Sequence, residues 1–160
     1  MSESGARVPE ALPIQNRPMT QHIRKLVHTE VIPIRWGDMD AAGHVNNTVY
    51  FRYMEQARVG WYERMALNEN GSAVPAGCGP VVISTACTFL RALRYPGDVE
   101  VKVFVSDLGR SSLTTHYEMR PSYDGGTIYA EGQAKGCWID MNREKSIPLP
   151  HAVRELVEAA

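Results

Sequence analysis

GDMDAAGHVNNTVYFRYMEQARVGWYERMAL, residues 37–67, contains the change of period on which the fold turns. Its first part, GDMDAAGHVNN (37–47), is small and polar and continues neither a strand nor a helix pattern. From there Tyr50, Met54, Ala57, Trp61 and Met65 step by four, three, four and four, which draws one stripe down a helix. Asn46 or Asn47 is placed to cap it. A stripe of Met and aromatic residues is core packing before it is anything else, and side chains of this size indicate a helix wrapped by other elements.

Upstream, KLVHTEVIPIRW (25–36) alternates as a strand, with Val27, Val31 and Ile34 as core positions and Pro33 marking an edge or a bulge. Downstream of NENGSAVPAGCG (68–79) the helical period disappears and four strand-like segments follow: VVISTACTFL (81–90), VEVKVFVSD (99–107), SLTTHYEMR (112–120) and TIYAEGQAKGCWID (127–140). Val99, Val101, Val103 and Val105 share one face, as do Ala130, Gly132, Ala134, Gly136 and Trp138. DLGR and YDGG are short turns that suit antiparallel hairpins. LPHAVRELVEA (149–159) closes the chain as a short amphipathic helix after Pro148. The layout is α+β, an antiparallel sheet of about five strands around one long central helix. The outer face of such a sheet needs cover, which predicts a homodimer or homotetramer.

The 160 residues form one domain, 26–160, preceded by an arm, 1–25, that carries Pro9, Pro13 and Pro18 and little periodicity. With 44% hydrophobic and 22% charged residues and a formal net charge of −1, no basic face announces nucleic acid and no run is apolar enough for a membrane. Cys78, Cys87 and Cys137 form neither a CxxC nor a Cys/His cluster, so a disulfide framework and a metal site are not expected and a reducing, cytoplasmic setting is.

The chemistry concentrates where the carboxylate- and glycine-containing loop runs into the helix N-terminus. Backbone N–H groups of the first turn, at Val45, Asn46 and Asn47, can donate to an oxygen acquiring negative charge, and the helix dipole adds to the effect. Asp40, a few residues upstream, can fold back beside them to take a proton from water or attack as a nucleophile. The spacing alone does not identify an enzyme, since Asp38 and Asp40 also suit turns and Asn46 and Asn47 suit caps.

The same residues resemble a known family. Asp38, Asp40, Gly43, His44, Val45, Asn46, Asn47, Tyr50, Tyr53, Glu55, Ala57 and Arg58 stand in register with the signature of the hot-dog-fold acyl-CoA thioesterases, in the branch similar to 4-hydroxybenzoyl-CoA thioesterase. The resemblance extends in layout over residues 26–158. It implies a sheet wrapped around a long helix and dimerised edge to edge, an active site at the dimer interface, and hydrolysis of an acyl-CoA to the acid and CoA. It implies Asp40 as general base or nucleophile, with CoA a substrate rather than a retained cofactor. A thioester suits this equipment, because its carbonyl is activated and its thiolate leaves readily.

Around Asp40, Asp38 reads as a loop organiser, His44 as a group that shapes the loop or orients water, and Asn47 as either a cap or a substrate contact. Glu55 is the alternative catalytic carboxylate, since another hot-dog branch uses one on the central helix, although an ion pair with Arg58 is the simpler reading. The resemblance places Arg110 at the nucleotide end of CoA, with the neighbouring Ser111 and Ser112 read either as hydrogen-bonding the pantetheine or as simply starting a strand; Arg91, Arg94 and Lys102 read as solvated sheet-edge charges. Two other classes stay open: a binding module for acyl-CoA or acyl-carrier protein without chemistry, and a hot-dog hydratase or dehydratase, whose motif HVNN does not match.

Overall fold

The computed structural model describes residues 24–68 and 77–158; the arm expected over 1–25, apart from its last two residues, and most of the 68–79 connection lie outside that range. The elements run β1 (Lys25–Pro33), a 3-10 turn (Trp36–Asp38), α1 (Asn47–Asn68), β2 (Cys78–Phe89), β3 (Asp98–Ser106), β4 (Ser112–Pro121), β5 (Ala130–Asp140), β6 (Lys145–Ser146) and α2 (His151–Glu158). The sheet order is β1-β3-β4-β5-β2 with every pairing antiparallel, and the two-residue β6 extends β5 at one end. This is the α+β hot-dog architecture, with six strands among the described residues rather than five because β6 is too short to register as a pattern.

The helix stripe packs as its period dictates. Tyr50, Met54, Ala57 and Trp61 are buried against the sheet, and Val49 and Tyr53 widen the stripe. Opposite them Val99, Val101, Val103 and Val105 of β3 and Ala130, Ala134 and Trp138 of β5 are buried in turn. The core divides into two clusters along α1. One gathers Tyr50, Tyr53, Met54 and Leu93; the other gathers Trp61, Val105, Leu113 and Trp138 and is closed by Leu149 and Val153 at α2.

Strand β1 departs from the expected alternation. Its pairing with β3 slips between Leu26 and His28, a bulge that reverses the parity of every residue after it. His28 is therefore buried, whereas Val31, expected in the core, points outward and is exposed; Ile34, just past the strand, is buried as expected. The other edge strand, β2, reads in sequence like a fully buried one, yet Val82, Ile83 and Phe89 are exposed. Its apolar character reflects an open edge and face rather than enclosure.

Candidate active site

The loop between β1 and α1 is a small hairpin of its own. Met39 and Val45 form an isolated antiparallel bridge, and Asp40 N–H donates to His44 O at 2.8 Å. Gly43 turns the chain at φ +75°, a conformation in which a Cβ is strained. Inside this turn Asp40 Oδ1 accepts the N–H of Ala42 at 2.8 Å and of His44 at 3.3 Å. One carboxylate oxygen is thus fixed, and the other has no hydrogen-bond partner among the described residues.

Asp38 organises the loop. Its Oδ2 accepts Arg35 N–H at 2.8 Å and the Tyr53 hydroxyl at 2.9 Å, tying the 3-10 turn to the second turn of α1. Burial, then the Asp38 hydrogen bond and charge, hold the Tyr53 phenol protonated far above its usual range. Asn46 is the cap: its Oδ1 accepts Thr48 N–H at 3.0 Å and Thr48 Oγ1 at 2.7 Å.

These contacts narrow the expected oxyanion hole. Val45 N–H already donates to Leu93 O at 2.9 Å and Asn46 N–H to Asp38 O at 2.8 Å, so neither amide is available to a substrate. Both are consumed because the loop must be bonded internally to pack against the core. Asn47, the first residue of α1, keeps the one amide of the three with no partner among the described residues.

The wall facing this loop comes from the segment between β2 and β3, about fifty residues downstream. Leu93 is 1% exposed; its N–H donates to Tyr50 Oη at 3.1 Å while its carbonyl holds Val45. Arg94 is exposed, as its sequence position suggested, but it also meets the loop: its Nη2 lies 2.9 Å from His44 Nε2. Burial pushes the Tyr50 phenol up, with the Leu93 N–H opposing it and the fields of Cys87 and Asp40 adding to it. Burial also pushes the Cys87 thiol up to about 11, which leaves it protonated near neutrality and inert as a nucleophile.

Glu55 and Arg58 do not pair. Arg58 Nη1 instead donates to Tyr117 Oη at 2.9 Å, and Glu55 is exposed with no ion-pair partner among the described residues. It lines two clefts flanking α1: one of about 580 Å³ on the β1 side with Asp38, Arg52 and Tyr53, and one of about 370 Å³ on the β2 side with Tyr62, Val81 and Leu113. Asp40 lines neither.

Arg110 is not brought to the loop. Ser112, which opens β4, pairs with Cys137, whereas Cys87 pairs with Gly132, five residues along β5 and hence about 17 Å away at ~3.4 Å per residue. Arg110 bonds Ser146 Oγ at 3.2 Å, and its turn is clamped by Arg154, which donates to Gly109 O and Arg110 O. Ser111 O accepts Trp138 N–H. Elsewhere, Lys102 faces Glu100 at 3.7 Å and Arg91 lies 6.0 Å over the Tyr129 ring. Among the described residues no group of three or more His, Cys, Asp or Glu is arranged to hold a metal ion, and no helix is long and apolar enough to cross a membrane.

Leu93, Arg94 and the Tyr50 hydroxyl were missed in the sequence. RALRYPGD carries no period and no motif, and its meeting with the loop depends on a crossover that sequence order does not state.

Comparison with known proteins places this geometry in context. The profile of the thioesterase-like superfamily matches residues 34–157. The uncharacterized protein YsmA of Bacillus subtilis is 28% identical over 124 residues, 71% of this chain and 80% of that protein. The solved PA2801 protein of Pseudomonas aeruginosa, described provisionally as a thioesterase, superposes with a TM-score of 0.76 at 39% identity over 83% of this chain and 99% of that one. A protein of Xanthomonas campestris, described provisionally as an acyl-CoA thioesterase, gives 0.65 at 35% identity over 79% and 99%.

Proposed function

The chain belongs to the thioesterase-like superfamily, and on that premise we propose that it hydrolyses acyl-CoA thioesters to the free acid and CoA, with Asp40 as the catalytic carboxylate. The observation that carries this reading is the state of Asp40: Oδ1 is pinned by two amides, Oδ2 is uncommitted, and the unspent Asn47 N–H lies at the adjoining helix N-terminus. As general base, Oδ2 takes a proton from water as the water oxygen bonds to the thioester carbon. The carbonyl oxygen, now negative, accepts from Asn47 N–H; the tetrahedral adduct then collapses, breaks the C–S bond and releases the CoA thiolate, which recovers the proton from Asp40. As nucleophile, the same oxygen forms an acyl–carboxylate anhydride that water hydrolyses, with the same products.

The substrate is a small molecule whose donor is CoA or an acyl-carrier protein. The reading includes assembly as a homodimer, or a tetramer built from dimers, in which the open β2 edge pairs with its copy. Edges of this length with exposed Val82, Ile83 and Phe89 invite strand pairing. Arg110, remote from Asp40 in one chain, serves as the nucleotide contact across the length of the pantetheine arm or from a neighbouring copy, with Ser111 and Ser112 beside it for the pantetheine.

A second assignment within the same activity rests on Glu55, which lines both clefts and has no ion-pair partner among the described residues. Free-thiol release from CoA esters of acetyl to palmitoyl, benzoyl and phenylacetyl groups separates the two. Asp40→Asn is expected to lower kcat by about 10²–10⁴-fold with turn and binding retained, and Glu55→Gln by less than tenfold. The reverse ranking moves the role to Glu55. No turnover by the wild type on any ester, nor on acyl-carrier thioesters, leaves a binding module.

A further inference from the structure

We propose that Arg94 is a positioning residue that holds the His44 ring in its Nδ1–H form and so makes it a second hydrogen-bond donor, beside Asn47 N–H, to the oxygen of the reacting carbonyl. The inference rests on the thioester-hydrolase reading above and assigns the half of the oxyanion hole that the backbone leaves vacant.

An oxyanion is served by two or more donors, yet Val45 and Asn46 N–H are bonded to Leu93 O and Asp38 O, Thr48 N–H to the Asn46 cap and Val49 N–H to Asn46 O. One helix-terminal amide, that of Asn47, remains among those expected. His44 is the candidate for the missing donor, because its own amide holds the Asp40 carboxylate and its carbonyl holds Asp40 N–H.

A guanidinium can only donate. The 2.9 Å contact from Arg94 Nη2 therefore fixes Nε2 as the acceptor, which leaves the proton on Nδ1. No protein group among the described residues accepts from Nδ1, so that N–H is free for a ligand. The backbone that carries the exposed Arg94 side chain is held on both sides: Leu93 is locked to Tyr50 and Val45, and Tyr95 N–H contacts Met39 Sδ at 3.4 Å. In this form the ring is a donor and not a base, which leaves proton abstraction to Asp40.

The test pairs ¹⁵N-histidine NMR of the whole protein with kinetics on the best thioester substrate. The His44 resonances are assigned against His44→Gln. The wild type is expected to show the Nδ1–H pattern, Arg94→Met to lose it, and Arg94→Lys, which can still donate, to retain it. kcat is expected to fall at least tenfold in Arg94→Met with KM within about twofold, and about 10²-fold in His44→Ala, the loss of one oxyanion donor. An Nε2–H pattern in the wild type, or an Arg94→Met protein with unchanged kcat, overturns the proposal. A wild type inactive on every thioester instead defeats the parent reading, while the tautomer pattern still decides whether Arg94 orients His44.

Discussion

Replacing Gly132 by alanine puts a methyl group where α1 and the sheet leave no room for one. Gly132 lies on β5, paired with Cys87 of β2 on one side and Tyr117 of β4 on the other, and faces the helix. A Cβ there would overlap Met54 Sδ outright and meet Ala86 O and Met54 Cε at 3.4 Å. Met54 is 1% exposed, so its sulfur can retreat only into neighbours that are packed already. Overpacking of this kind costs about 1–3 kcal/mol, which for a chain of this size lowers Tm by roughly 2–4 °C per kcal/mol. Met54→Ala alone leaves a cavity worth about 2–5 kcal/mol, but the alanine methyl of the double variant partly fills it. The double variant should therefore be more stable than the sum of the singles by about 1–2 kcal/mol. Urea unfolding of the four proteins in a double-mutant cycle measures this. A Gly132→Ala protein with an unchanged midpoint, or an additive double, would refute the claim that the helix is seated directly on a bare strand.

Asn46→Ala removes the acceptor for Thr48 N–H and Thr48 Oγ1 and should cost about 1 kcal/mol, read as a Tm lower by roughly 2–4 °C; an unchanged Tm would mean the helix is capped otherwise. Alkaline pH should destabilise the protein earlier than backbone chemistry requires. Cys87 is raised from 9.0 to about 11 and Tyr53 from 10.0 by burial, so the fold favours their protonated forms. Stability is intact below those ordinary values and falls as pH rises through the folded ones, by at most ~1.4 kcal/mol per pH unit for each group. Urea midpoints should therefore decline from about pH 9, and Cys87→Ala should flatten the first part of that decline; a level curve to pH 11 would contradict the burial assigned to both groups.

The parts of this protein legible in its sequence are those governed by short-range periodicity. The 3.6-residue stripe from Tyr50 to Trp61 fixes a helix and its buried face, and the period-2 runs of β3 and β5 fix strands whose valines, alanines and Trp138 meet that face. The loop before α1 is legible for a related reason, because Asp, Gly and Asn there satisfy local backbone groups within a few residues. That is why Asp38 and Asp40 could be assigned to the turn in advance and the cap narrowed to Asn46 or Asn47, of which the structure uses Asn46.

What local pattern could not decide was decided by where distant segments meet. A single bulge after Leu26 reversed the parity of β1 and turned Val31 outward, since a strand carries no memory of its register beyond the next hydrogen bond. Arg58 bonds Tyr117, fifty-nine residues away in sequence, rather than its helical neighbour Glu55, a partner that only the packing of β4 against α1 supplies. Leu93 and Arg94 reached the loop only because β2 and β3 lie apart in the sheet, with β5 and β4 between them, and the connection must cross that end of the molecule. The sequence determined which residues could do chemistry at the helix N-terminus. The tertiary structure decided which of their hydrogen-bonding groups were left without a partner among the described residues, because a buried amide must find a partner and most found one inside the fold.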